Sequence, residues 1–212
     1  NVIEDAAQSF GAELKGKKSC SFGKLSTTSF FPAKPLGCYG DGGAIFTDDK
    51  EMYQILKSIR IHGTGSDKYD NIRIGINGRL DTIQAAVLIE KLKIFDQEFN
   101  FRQLISDQYS KYLSDKIDIP HVPKNYKSAW ALYSLLAEDK KHREHLMQNL
   151  TEAEIPSVIY YRIPLHLQKA FSYLGYNKGD FKVSEAIANK IFSIPMHPYL
   201  VEDDIIKITN CF

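Results

Sequence analysis

Cysteine is scarce in this chain. Cys20, Cys38 and Cys211 are the only three in 212 residues; they are odd in number, widely spaced and include no C-x-x-C pair. That excludes a disulfide framework and a cysteine-based zinc site, and it points to a reducing, cytoplasmic setting. An excess of either charge is missing too. With 27 basic and 26 acidic side chains the formal net charge is +1, so no field gathers a polyanion along one face, and nucleic acid is not expected as a partner. No stretch approaches the roughly 18 consecutive apolar residues of a membrane span, and no basic-then-apolar leader precedes the first strand. The expectation is a soluble, untargeted protein with no membrane partner. The chain opens on Asn1-Val2-Ile3 without an initiator Met, which suggests a truncated sequence.

What is present suffices for a globular core: 43% of the residues are hydrophobic and 25% charged, a balance far from that of disordered chains. Val2-Ile3-Glu4-Asp5 is a short apolar run ending in two acids, as at the carboxyl end of a buried strand in an α/β sheet, the end where ligands of such sheets gather. Ser26 to Phe31 favours a strand. Pro32-Ala33-Lys34-Pro35-Leu36-Gly37 must then be a loop, since two prolines three apart suit no helix or strand interior. Ala44 to Thr47 resumes a strand, and Asp48 or Asp49 can cap a helix whose Met52, Ile55, Leu56 and Ile59 form an apolar stripe. After a polar loop, Asp81 or Thr82 opens a second helix, with Ile83, Val87, Leu88, Leu92 and Phe95 inward, and a third runs from about Arg102 to Leu113. Pro120 and Pro123 mark a junction, so the expected division is 1–118 and 119–212. In the smaller part we expect strands around Ala129 to Leu136 and Ser157 to Tyr161. Helices are expected around Lys141 to Thr151, Ser184 to Phe192 and from Glu202.

Ser29 to Gly43 is the most distinctive segment. A lysine between prolines has a restricted backbone, so its amine can be aimed, and the glycines beyond it allow close approach. Gly40-Asp41-Gly42-Gly43 fits neither common phosphate-loop pattern. His142 and His145, at i, i+3, could chelate a metal, but Lys140, Lys141 and Arg143 beside them argue for a solvated basic face, and no metal is expected.

Taken with other blocks, the segment gains meaning. Ile3-Glu4-Asp5-Ala6-Ala7-Gln8, the Ser29 to Gly43 run, Arg60-Ile61-His62-Gly63, Gly75 to Asp81 with Gln84-Ala85-Ala86, and Pro164-Leu165-His166 stand in the order and spacing of conserved blocks of a known family. The chain resembles the DegT/DnrJ/StrS-type nucleotide-sugar aminotransferases, which use pyridoxal 5'-phosphate. The wording is nearest to members assigned to UDP-2-acetamido-2-deoxy-3-oxo-glucuronate. The resemblance implies an α/β fold of the fold-type I, aspartate-aminotransferase-like class. Residues 1–118 would be the C-terminal part of the cofactor-binding large domain, and 119–212 a smaller α+β domain. It implies transamination of a keto group on a nucleotide-linked sugar, with glutamate as donor, in bacterial surface-polysaccharide synthesis.

Each block then has an implied role. Lys34 matches the Schiff-base lysine, which also moves the proton during transfer. Asp5 matches the carboxylate facing the pyridinium nitrogen, and Gln8 an amide near the ring oxygen. Ser29 matches a hydroxyl on the cofactor phosphate, and Asn77 a residue reaching the partner's phosphate across a homodimer. Arg79 is a candidate for substrate anions; Tyr160 and His166 are candidate substrate contacts, against which stand the plainer readings, better favoured by the residues alone, of a half-buried strand tyrosine and a loop histidine with a local hydrogen bond. The chain departs from the family at Gly78, where many relatives carry Ser, and at Arg162, where Pro is usual. It also lacks the family's N-terminal part, which supplies a phosphate-binding helix end. Two other readings follow: a member that does not bind cofactor, and a sugar dehydratase of the same fold, against which Lys34 argues because dehydratases carry His there.

Overall fold

The computed structural model describes residues 1–212. The strands are β1 (Ile3–Asp5), β2 (Glu13–Leu14), β3 (Lys17–Lys18), β4 (Leu25–Ser29), β5 (Gly43–Phe46), β6 (Tyr126–Lys127), β7 (Tyr133–Leu136) and β8 (Ile191–Ile194). The helices are α1 (Lys50–Arg60), α2 (Thr82–Leu113), α3 (Lys140–Glu152), α4 (Lys182–Lys190) and α5 (Glu202–Thr209). Two compact units result. The first comprises Asn1–Phe99 with Pro123–Ala131, the second Asn100–Val122 with Leu132–Phe212. None of the helices is long and apolar enough to cross a membrane.

In the first unit β4 is the central strand of a three-stranded sheet, order β1-β4-β5. It runs parallel to β1 and antiparallel to β5. Phe30, Leu36, Cys38, Leu88 and Phe95 form the core beside it, with Phe10, Ala44 and Leu80 packed against them. Burying such side chains is worth roughly 1.5–3 kcal/mol each. Asp49 caps α1, its Oδ1 accepting from the backbone N–H groups of Glu51 and Met52 at 3.0 Å each. In the small sheet β3-β2-β6, Glu13 pairs with Lys18 at 2.8 Å and Lys127 at 3.0 Å. These two ammonium groups hold its carboxyl below the usual range.

In the second unit β7 and β8 form an antiparallel pair over Tyr109, Leu113, Leu146, Leu150 and Ile205, all buried. Tyr109 packs against Tyr133 with ring centroids 4.9 Å apart, and its hydroxyl donates to the Pro195 carbonyl at 2.8 Å.

Several sequence expectations need correction. The expected second and third helices are one 32-residue helix. No Gly or Pro interrupts Phe95 to Arg102, and buried Phe95, Phe99, Arg102, Ser106, Tyr109 and Leu113 keep helical spacing throughout. On that helix Leu88 and Phe95 face inward, but Ile83 is 73% and Leu92 51% exposed. Strand β1 is not buried: it lies at the sheet edge, and Ile3 is 67% exposed. The strand expected at 157–161 is a single bridge between Val158 and Ser193. The helix expected to reach Phe192 stops at Lys190, because Ile191 to Ile194 pair with β7 and Pro195 follows. Arg143 is not on a solvated face; it is 5% exposed.

Candidate active site

Strands β1 and β4 are parallel, so their carboxyl ends share one edge of the sheet. Asp5 stands in register with Thr27, and Ser29 lies two residues further along β4. Side chains two apart on a strand, and register partners on neighbouring strands, point to the same side. Ser26 and Thr28 fill the buried side. Asp5, Thr27 and Ser29 therefore share the more open side.

Asp5 is exposed, and its Oδ1 accepts from the Ala7 N–H at 3.0 Å. This fixes the carboxylate and leaves its second oxygen available. The Ser29 hydroxyl oxygen accepts from the Phe31 N–H at 3.2 Å, so the hydroxyl proton remains free to donate. Gln8 is exposed in the turn after β1.

The chain leaving β4 makes a tight loop with Lys34, half-buried, at its turn; the Lys34 N–H donates to the Phe31 carbonyl at 2.9 Å. Gly37 is needed there: a Cβ would lie 2.6 Å from the Pro32 carbonyl oxygen and 2.7 Å from that of Phe31, closer than any side chain tolerates. The loop returns to β4 through Cys38, whose N–H donates to the Phe30 carbonyl at 2.8 Å. Its thiol lies 3.0 Å from the carbonyl oxygens of both Phe30 and Gly40. Helix α2 supports the loop from one stripe. Lys91 Nζ donates to the Gly37 carbonyl at 2.7 Å, and Gln84 Oε1 accepts from the Tyr39 N–H at 2.7 Å. Lys91 Nζ also sits 4.9 Å from the centre of the Tyr39 ring.

Sequence reasoning assigned no role to Lys91 or Gln84. The signal was available: Gln84, Leu88, Lys91 and Phe95 follow the i, i+4, i+7, i+11 spacing of a single helix face, so two polar residues stand on the stripe that packs the core.

Asn77 and Arg79 lie in the connection from α1 to α2, both exposed. The backbone around them is laced. Ile76 N–H donates to the Ile59 carbonyl at 2.8 Å, Gly78 N–H to the Arg60 carbonyl at 2.9 Å and His62 N–H to the Ile76 carbonyl at 2.9 Å. Gly63, at φ +77°, has no room for a Cβ against the Arg73 carbonyl.

Tyr160 and His166 belong to the second unit and line a cavity of about 930 Å³ with Leu165, Phe171, Tyr176 and Phe181. His166 is buried there with a local partner. Its Nε2 lies 3.0 Å from Glu185 Oε1, with side-chain exposures of 8% and 15%, and the Phe181 ring is 4.7 Å away. Glu185 Oε1 also accepts from the Gly179 N–H at 2.7 Å. That bond first, then His166 and the Phe181 N–H, lowers the Glu185 pKa.

A carboxylate and a hydroxyl thus stand at the ends of adjacent parallel strands, with a lysine on the loop that follows. The fold is that of the fold-type I pyridoxal-phosphate transferases. More specifically, residues 1–212 match the model of the DegT/DnrJ/EryC1/StrS aminotransferase family, and the chain belongs to that family, whose aminotransferases depend on pyridoxal phosphate. It is 44% identical over 200 residues, 94% of this chain and 54% of the relative, to UDP-2-acetamido-2-deoxy-3-oxo-D-glucuronate aminotransferase of Pseudomonas aeruginosa. Among solved structures it resembles a DegT DnrJ EryC1 StrS aminotransferase from Brucella abortus at 50% identity, with a TM-score of 0.93, covering 99% of this chain and 55% of that one. It also resembles DesV of S. venezuelae at 30% identity, with a TM-score of 0.94, covering 100% and 56%. The chain spans about half the length of the curated relatives it matches.

The residues present fit the family's cofactor. Asp5 offers an anion with one oxygen free of protein donors, Ser29 a hydroxyl proton without an acceptor, and Lys34 a primary amine on a braced loop.

Proposed function

We propose that this chain takes part in transamination of a keto group on a nucleotide-linked sugar, with a UDP-linked sugar as acceptor and glutamate as amino donor. The setting we assign is synthesis of a bacterial surface polysaccharide. The observation that carries the proposal is the placement of Asp5 and Ser29 on the open side of two parallel strand ends, with Lys34 on the braced loop leaving β4. Similarity to the Pseudomonas aeruginosa enzyme supports the UDP-sugar class. The three free thiols fit a cytoplasmic enzyme.

When bound, pyridoxal phosphate supplies an electron sink for the carbon that loses a proton. Lys34 Nζ is the amine that would hold the cofactor's aldehyde carbon and, once released, would serve as the base that carries the proton leaving the donor's α-carbon. The Lys91 and Gln84 bonds brace the loop that carries that amine. Asp5 would hold the proton on the ring nitrogen with its free oxygen, since an anion beside a pyridinium favours the charged form. Ser29 would donate to a phosphate oxygen, and Gln8 would pack beside the ring.

Asn77, held out on its laced loop, suits a contact to the phosphate of a second subunit, and Arg79 beside it suits the acidic groups of the substrate. A homodimer follows from that assignment. Tyr160 and His166 would meet the sugar side of the substrate, with Glu185 orienting the imidazole.

The test is production of 2-oxoglutarate from glutamate with a panel of UDP-linked keto-sugars. Turnover with a 3-keto sugar, lost in Lys34→Ala, is expected. Equal turnover in Lys34→Ala would overturn the assignment.

A further inference from the structure

The cavity that Tyr160 and His166 line has a chemistry of its own. Phe171, Tyr176, Phe181 and Gln168 are among its other walls, and no Lys, Arg, Asp or Glu lines it. It forms where the irregular chain of residues 160–181 lies against α4, and Glu185 of that helix clasps the two sides together. Its Oε1 accepts from the Gly179 N–H at 2.7 Å and meets His166 Nε2 at 3.0 Å.

Apolar rings close on one another in water unless something holds them apart. Here Phe171, Tyr176 and Phe181 remain 36%, 48% and 42% exposed. Phe181 is engaged by its neighbours, with the His166 ring 4.7 Å away and the Tyr176 ring edge-on at 5.0 Å. Phe171 packs on none of these rings, so its face is left for a ligand. Gln168 is the polar group with spare capacity. Its Nε2 donates to the Ile163 carbonyl at 3.3 Å, which sets the orientation of the amide and leaves Oε1 as an acceptor without a donor.

We infer that this cavity receives the base of the nucleotide-linked substrate, a uracil ring stacked on Phe171 with its N3–H donated to Gln168 Oε1. The inference rests on the nucleotide-sugar reading above and assigns one part of that substrate a place. The diphosphate calls for cations, which the lining does not supply. A flat ring stacks on an aromatic face and here needs one acceptor, which Gln168 provides. A largely apolar cavity of about 930 Å³ with a few polar groups is of ligand-binding size, so it holds the base beside the sugar that Tyr160 and His166 would meet. Cytosine carries an acceptor where uracil carries N3–H, so an amide held in this orientation favours uracil.

The experiment titrates the intact chain, without pyridoxal phosphate, with uridine, cytidine and inorganic pyrophosphate while the NMR signals of the Phe171, Tyr176 and Phe181 rings are followed. Expected is a saturable, concerted shift of these signals with uridine, affinity about tenfold weaker for cytidine, and no displacement of uridine by pyrophosphate. Phe171→Leu keeps an apolar side chain without the ring and should weaken uridine about tenfold. Gln168→Met keeps the length without the amide and should abolish the preference over cytidine. No saturable response, an unchanged affinity in Phe171→Leu, or displacement by pyrophosphate would overturn the inference. Uridine bound at these rings without turnover of any UDP-linked keto-sugar would uphold the site and count against the proposed reaction. Turnover without a uridine response would do the reverse.

Discussion

Lys91 Nζ donates to the carbonyl oxygen of Gly37 at 2.7 Å, joining the middle of α2 to the loop that carries Lys34. A charged donor to a backbone carbonyl is worth more than a neutral one, roughly 1.5–3 kcal/mol, and here it acts on a segment that β-pairing does not hold. Lys91→Met keeps the aliphatic stem and removes the bond. Cofactor retention should weaken about tenfold, the equivalent of ~1.4 kcal/mol, with a much smaller loss of melting temperature. Unchanged retention would show that the loop is positioned without α2.

Gly37 should not tolerate a side chain. A methyl would fall 2.6 Å from the Pro32 carbonyl oxygen, so Gly37→Ala must shift the loop and should cost about 1–3 kcal/mol of stability, as overpacking does. Chemical denaturation measures this directly. A variant as stable as the wild type would mean that the loop is looser than its hydrogen bonds indicate.

Asp5 separates charge from geometry. In Asp5→Asn the amide oxygen can still accept from the Ala7 N–H, so folding should be unaffected, but the charge that favours a protonated ring is gone. Turnover should fall roughly 10²–10³-fold, the usual effect of removing one preorganised electrostatic contact, with melting temperature within a degree or two of wild type on the ~2–4 °C per kcal/mol scale. A steady-state assay beside a thermal melt distinguishes the two effects.

Most of what positions Lys34 was legible in the chain itself. Pro32 and Pro35 exclude helix and strand, Asp5 ends an apolar run, and the capping Asp49 is visible before its helix. Other features depend on tertiary contact. Ile191 to Ile194 form a strand because β7 lies beside them, and the same residues continue a helical pattern when read alone. The unbroken length of α2 is hidden by the polar residues Asp96, Gln97, Glu98 and Asn100, which fall between the buried Phe95, Phe99 and Arg102. Arg143 looked like one of several surface cations because nothing local in the sequence signals that α4 packs over it. The partner of His166 was equally hidden: Glu185 lies nineteen residues on, across an irregular segment.

Acid should reveal the Glu185 contact. The Gly179 N–H, His166 and the Phe181 N–H hold the Glu185 carboxyl below its ordinary value of 4.5, against the opposing effect of burial. An acid whose folded pKa is depressed stabilises the folded chain above its unfolded pKa, and that contribution disappears as pH falls below 4.5 through the folded value. Glu185→Gln should therefore melt below the wild type at pH 7, and the two melting curves should converge as the solution is acidified. A gap that is constant with pH would mean that Glu185 acts through shape alone.

The role of Lys34 can be read without any substrate. The chain is incubated with pyridoxal phosphate, reduced with borohydride and digested, and the labelled lysine is located by peptide mass. Label concentrated on Lys34, with the visible absorbance of the bound cofactor absent from Lys34→Ala, is the expected result. Label scattered over exposed lysines such as Lys15, Lys17 and Lys24, at the same level in Lys34→Ala, would contradict it.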